Sequence, residues 1–233
     1  MSTLRLTSDL RREQILEAAK RCFALYGFAG TTTKSVAQAA GISEGLLFKH
    51  FPTKAALYTE ILAEAYEADP ELLRLRELKP STATLVILIR EMVAHFMRAT
   101  EAPDQEDAQR IRLLISSLLT DGEFARLLYD KIGDMIGPIF KTSLESAIAA
   151  GDAERVRGEP LNLFWFAHHI VHTIALTRLP ATPALDYPGT PDFERHICQF
   201  ILRGIGMNGR AIASYLDTVP PLSQAGIRIA ESA

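Results

Sequence analysis

The sequence predicts an all-α protein built from two helical layers, and three observations carry that expectation. Apolar residues recur at i, i+3, i+4 and i+7 along most of the 233 residues, the spacing of helices with one buried stripe. No segment shows the period-two alternation of a half-buried strand. Punctuation falls at Pro80, Pro103, Gly122, the 151–158 stretch and a connection holding Pro180, Pro183, Pro188 and Pro191. With 48% hydrophobic and 23% charged residues, the chain can bury one large core or two modest ones.

The first helix is predicted from Ile15, Ala18, Ala19, Cys22, Phe23 and Tyr26, with Ser8 or Asp9 capping its start and Gly27 supplying a left-handed residue at its end. A much shorter one follows at Val36, Ala37 and Ala40, with Thr31, Thr32 and Thr33 as capping candidates and Gly41 as its stop. Ile42 and Ser43 lead into a third over 44–50, with Leu47 and Phe51 facing inward. Pro52 ends it, and Thr53 caps a fourth that holds Leu57, Ile61, Leu62 and Ala65. Beyond Pro70 the predicted helices lengthen to 84–100, 107–119, 123–132, 138–150, 160–179 and 193–216. After Asp217 the chain reads as irregular through Pro220 and Pro221, although 226–233 could dock. The expected domains are 8–58, 59–217 and a tail, 218–233, with the fourth helix shared between the first two.

A net charge of −3 is unpromising for a partner of nucleic acid, because such partners usually show a basic excess. The average hides a division. Residues 1–58 hold eight Lys or Arg against four acids, a net of +4, and the remaining 175 hold 17 against 24, a net of −7. Cys22 and Cys198 are the only cysteines, which argues against a disulfide-stapled scaffold and for buried thiols. The longest apolar run near the middle, 85–89, falls far short of the ~20 residues of a membrane span. With Arg5, Asp9, Arg11 and Arg12 and no apolar stretch, the start does not read as a secretory signal, so the expectation is cytoplasmic. Nucleophile-elbow, phosphate-loop and H-E-x-x-H motifs are all missing, so neither an enzyme nor a cofactor is expected.

Two short helices joined by a tight Gly-centred turn form the arrangement that places one helix in a DNA major groove. The same pattern, taken alone, is also an ordinary capped helical hairpin. Thr32 or Thr33 and Ser43 open the two helices, so their unpaired N–H groups can point at phosphates. Gly41 permits the turn, and Ala37 allows close helix packing.

The run Ile15-Leu16-Glu17-Ala18-Ala19, Phe23, Tyr26-Gly27-Phe28, Thr31-Thr32-Thr33, Val36-Ala37, Ala40-Gly41-Ile42-Ser43, Gly45, Leu47-Phe48, His50-Phe51, Lys54 and Leu57 closely resembles the N-terminal domain of the tetracycline-repressor (TetR) family, over about a quarter of the chain. That resemblance implies an N-terminal three-helix DNA-binding domain with a helix-turn-helix, and a C-terminal helical domain for effector binding and dimerisation. It implies a homodimeric transcriptional regulator, commonly a repressor, that binds a palindromic double-stranded DNA operator and is released by a small molecule. By the same resemblance Thr33 and Lys34 are contact positions on the second helix. Glu44, Gly45, Leu46, Phe48, Lys49 and His50 occupy the recognition helix, and Lys54 matches a phosphate-binding lysine. Phe48 stands where the family commonly has a tyrosine, so only apolar contact remains there. Leu46 can touch a thymine methyl, Lys49 can reach a guanine edge, and Glu44 can accept from cytosine N4.

The larger domain is less explicit. An effector pocket is expected among Met92, His95, Phe96, Arg112, Leu114, Ser116, Leu118, Met135, Ile139, Phe140 and Trp165, a mix suited to a largely apolar ligand, although residues of this kind are more often plain core. By resemblance the last two long helices form the dimer's four-helix bundle, and Ile170, Ile174, Ile197, Phe200, Ile201 and Ile205 fit that role. His168 and His172 stand i, i+4 beside His169, which keeps open an alternative: a metal-binding sensor or enzyme using these three histidines. Packing is the stronger expectation, because no Cys or carboxylate sits at matching spacing.

Overall fold

A computed structural model of the chain describes residues 8–67, 70–101, 106–120, 122–185, 187 and 192–219. Among them are eleven helices and no strand. The expected docking of 226–233, and the tail beyond Val219, lie outside the described residues. Two units share the chain: the described residues of 1–68 with 113–131, and those of 69–112 with 132–233.

The first unit opens with α1 (Ser8–Gly30), α2 (Thr33–Ala39), α3 (Glu44–His50) and α4 (Lys54–Glu67). Gly27 breaks the regular course of α1 at φ +65° and ψ 179°, a conformation closed to most side chains. Thr31 is wholly buried just beyond, its hydroxyl donating to Gly27 O at 2.7 Å and Cys22 O at 3.1 Å. Ile15, Ala18, Ala19 and Phe23 from α1 meet Val36, Ala37, Leu47 and Leu57 in one core. Ile15, Leu47 and Leu57 are each 0% exposed, and burying such a side chain stabilises by roughly 1.5–3 kcal/mol.

Residues 113–131 complete that unit, which is therefore larger than 8–58. They comprise the end of α7 (Glu106–Leu118) and the start of α8 (Glu123–Ala149). Thr53 Oγ1, which caps α4 by accepting from Ala56 N, donates to Glu123 Oε1 at 2.7 Å. Tyr58 is ringed by Phe23, Phe28 and Phe124 at centroid distances of 4.8, 5.2 and 5.7 Å.

In the second unit, α6 (Thr82–Glu101) packs against α9 (Pro160–Arg178), α10 (Phe193–Gly204) and α11 (Gly209–Thr218). Leu85, Val86, Ile89, Val93, Phe140, Val171, Leu202 and Ile212 form the centre of its core. A short helix not anticipated from sequence, α5 (Pro70–Glu77), precedes α6 and contributes Leu75.

Two expectations are corrected. Segments 123–132 and 138–150 are one continuous α8 with Pro138 inside it. Pro138 is exposed, and its neighbour Gly137 has no Cβ to meet the proline ring, which removes one of the clashes that disfavour a helix before proline. Conversely, 193–216 is not one helix. Gly206 takes φ +103° between α10 and α11, and a Cβ there would lie 2.4 Å from Glu154 O. Asn208 restarts the helix by accepting from Ala211 N at 2.9 Å. This break is tied to the 151–154 turn: Glu154 N donates to Gly206 O, Asn208 N donates to Asp152 O, and Asp152 Oδ2 accepts from Thr82 and Tyr215 hydroxyls.

Candidate functional site

The two short helices are defined by their caps. Thr32 Oγ1 accepts from Ser35 N at 3.0 Å while Ser35 Oγ accepts from Thr32 N at 3.1 Å, a reciprocal capping box at the start of α2. Ser43 Oγ accepts from Leu46 N at 3.2 Å to open α3. Between them Gly41, at φ +64°, turns the chain, and the Ala40 carbonyl is satisfied by Gln14 Nε2 at 2.8 Å.

Leu47 anchors α3 to the core with no exposure. At 100° per residue, the face opposite Leu47 carries Gly45 and Lys49, flanked by Phe48 on one side and Leu46 on the other. Lys49 and Gly45 are exposed, Phe48 is 45% exposed, and Leu46 and His50 are half-buried. A Cβ on Gly45 would meet nothing within 4 Å. Lys34 is exposed on α2, and Thr33 donates through Oγ1 to Glu44 Oε1 at 2.8 Å.

The remaining cations are less uniformly outward than the charge count suggested. Lys54 Nζ donates to Phe28 O at 2.9 Å and Thr31 O at 3.0 Å and lies 4.2 Å from the centre of the Phe28 ring. Burial holds its amine below the usual lysine range. Arg12 pairs with Glu60 at 2.9 Å, and Lys20 pairs with Glu17 at 2.7 Å and Glu64 at 2.9 Å. Counting through residue 67 gives eight basic against seven acidic residues, a net of +1 in place of +4.

The residues expected to line a pocket are divided between the two units. Leu114, Ser116 and Leu118 belong to the N-terminal unit, with Leu114 buried and the other two exposed. In the C-terminal unit Phe96 and Phe140 are buried, while Met92, Met135, Ile139 and Trp165 pack half-buried against the core. His95 and Arg112 are exposed, and Arg112 donates to Leu179 O at 3.3 Å. A cavity of about 640 Å³ among Gly151, Asp152, Asn208, Arg210 and Tyr215 includes none of them.

His168 and His172 form a polar feature at this core. Their rings stack at 5.8 Å, and Phe96 meets each edge-on at 5.1 and 5.5 Å. Trp165 meets His168 edge-on at 5.5 Å. Burial, with smaller contributions from neighbouring histidines, lowers His168 to about 3 and His172 to about 4, so both are neutral near pH 7. The Nε2 of His172 is buried without a hydrogen-bond partner among the described residues. Those residues bring together no group of three or more His, Cys, Asp or Glu that could hold a metal.

Of the six residues expected at a dimer interface, Ile197, Ile201 and Ile205 are buried in the chain's own core. Ile170 and Ile174 are half-buried and Phe200 is 67% exposed, so these three retain surface. Phe166, at 60% exposed, is an apolar residue of α9 that the sequence reading did not select. No helix of the described residues is long and apolar enough to cross a membrane.

Residues 15–61 match the family model described as bacterial regulatory proteins, tetR family. The chain is 38% identical over 117 residues to the HTH-type transcriptional repressor Rv1474c of Mycobacterium tuberculosis, covering 50% of this chain and 55% of that one. It is 34% identical over 117 residues to the HTH-type transcriptional repressor AcnR of Corynebacterium diphtheriae, covering 50% and 54%. The chain thus spans about half the length of the curated relatives it matches. Among solved structures, RolR in complex with resorcinol superposes with TM-score 0.57 at 14% identity, over 91% of this chain and 96% of that one. Thermus thermophilus FadR, in complex with lauroyl-CoA, gives TM-score 0.54 at 24% identity over 83% and 92%. These two likenesses are of fold.

Proposed function

We propose that this chain, whose residues 15–61 match the tetR family model, belongs to that family and is a ligand-responsive DNA-binding transcriptional regulator, a repressor that occupies a palindromic operator as a homodimer. The observation that carries the reading is the outward face of α3. Leu47 fixes the helix from behind, while Gly45, Lys49, Phe48 and Leu46 stand toward solvent between two capped turns. A short helix presented in this way fits a major groove, and Lys34 and Lys49 supply cations where phosphates and guanine edges would lie. Lys54 keeps a third ammonium hydrogen for a phosphate beyond the two carbonyls it already meets.

The effector reading centres on the C-terminal unit. Phe96, Trp165, His168 and His172 offer an apolar shell with neutral imidazoles, which suits a largely apolar ligand held by a few oriented hydrogen bonds. RolR and FadR, of similar fold, are described with resorcinol and lauroyl-CoA. Ile170, Ile174, Phe166 and Phe200 supply the apolar face for a second copy. Effector binding would favour dimers whose recognition helices no longer match half-sites about 34–36 Å apart.

Selection of a random duplex pool with the full-length chain tests this function. Two inverted half-sites, centred one helical turn or a multiple of it apart, are expected. Failure to enrich any duplex over the starting pool would overturn it.

A further inference from the structure

We propose that α3 reads thymine through its 5-methyl group, with Phe48 and Leu46 as the apolar contacts on either side of Lys49. The proposal rests on the DNA-binding reading above and adds what the helix recognises. Four observations lead to it. Phe48 is 45% exposed and Leu46 only half-buried, although the helix has a fully buried anchor in Leu47. Neither side chain carries a hydrogen-bonding atom, so neither can take a phosphate oxygen or a base nitrogen. Glu44, the acid on the same helix, is engaged by the Thr33 hydroxyl at 2.8 Å. Gly45 leaves open space where a side chain would hold the helix away from a groove floor.

The charges around these residues choose the occupant. Lys34 and Lys49 are exposed and His50 is half-buried on the same two helices, a setting that suits a polyanion. Within a major groove, the apolar group that bases offer is the thymine methyl. Phe48 and Leu46 stand about 160° apart around the α3 axis, with Gly45 and Lys49 in the arc between them. The recognised half-site would therefore hold thymines on both sides of the base pair that Lys49 reads.

Replacing thymine by uracil removes the methyl and keeps every base-pair and groove hydrogen bond. The test begins with the duplex selected by the full-length chain, in which single thymines of each half-site are replaced by uracil and binding is followed by fluorescence anisotropy. Kd should rise about fourfold for each thymine that is read, the worth of one buried methyl-sized group. Phe48→Ala should abolish the thymine–uracil difference at one position and Leu46→Ala at another, while each variant keeps its helical circular dichroism. Equal affinity of the wild-type chain for thymine and uracil duplexes would overturn the proposal, as would selected half-sites without thymine. Discrimination that survives in both variants would also overturn it. If no duplex is selected at all, the DNA-binding reading itself fails, which is a different result from binding that ignores the methyl.

Discussion

The hydroxyl of Thr33 donates to the carboxylate of Glu44 at 2.8 Å, joining the first turn of α2 to the first turn of α3. This bond spans the glycine turn and fixes the angle between the helices from their solvent side, while Val36, Ala37 and Leu47 fix it from the core. Thr33→Val, which keeps the shape and loses the donor, should cost about 1 kcal/mol in urea unfolding. DNA affinity should fall further than stability does, because α3 loses its fixed direction. Unchanged affinity in Thr33→Val would show that the core alone holds the angle.

Gly45→Ala separates folding from recognition. A Cβ at this position meets nothing within 4 Å, and alanine is the better helix former by roughly 1 kcal/mol, so thermal stability should rise slightly. Binding to the selected duplex should weaken, because the new methyl stands between the helix and the groove. Stability and affinity rising together would contradict the placement of Gly45 at the interface.

The buried histidines set an acid limit on stability. His168 and His172 titrate at about 3 and about 4 in the folded chain, below the 6.5 of an ordinary histidine. The unfolded chain therefore binds more protons between those values, and stability is full above pH 6.5 and lost as pH falls toward 4. Between pH 7.5 and 5.5 each histidine should cost about 1 kcal/mol, read by urea unfolding. His168→Gln with His172→Gln should flatten that slope, and a wild-type slope of zero would refute neutral burial.

Cys198 is 3% exposed, and burial pushes its thiol up to about 12. It should resist an aromatic disulfide reagent at pH 8 in the native chain and react fully in denaturant, since only the thiolate attacks. Rapid native modification in a Cys22→Ser variant would show that the α10 face opens readily.

Local order was legible where the signal lies within a few residues. A run of three threonines at 31–33, Gly41, Ser43 and Leu47 announced the caps, the turn and the anchor of the helix pair by type and spacing, and the structure selects Thr32 from the three as the cap of α2. Features set by distant partners were not. The carbonyls that hold Lys54 come from 26 and 23 residues away, and Glu60 and Glu64, which pair with Arg12 and Lys20, sit beyond the boundary at 58. Ile197, Ile201 and Ile205 have the stripe of an interface helix, and periodicity could not tell a partner chain from α6 as its cover. Pro138 and Gly206 show the same limit from the other side. Pro138 stays within a helix, whereas Gly206, at φ +103°, stands in a break between helices where the carbonyl of Glu154 occupies the space a side chain would need.

The regulator reading is tested most directly by anisotropy of the full-length chain on a labelled fragment of its own upstream DNA, titrated between about 50 and 200 mM salt. Binding should be saturable, with affinity falling steeply as salt rises, and Lys34→Ala should reduce the log–log slope by about one unit. No retention of the fragment at the lowest salt, or a slope that Lys34→Ala leaves unchanged, would contradict the proposed role of the α2–α3 face.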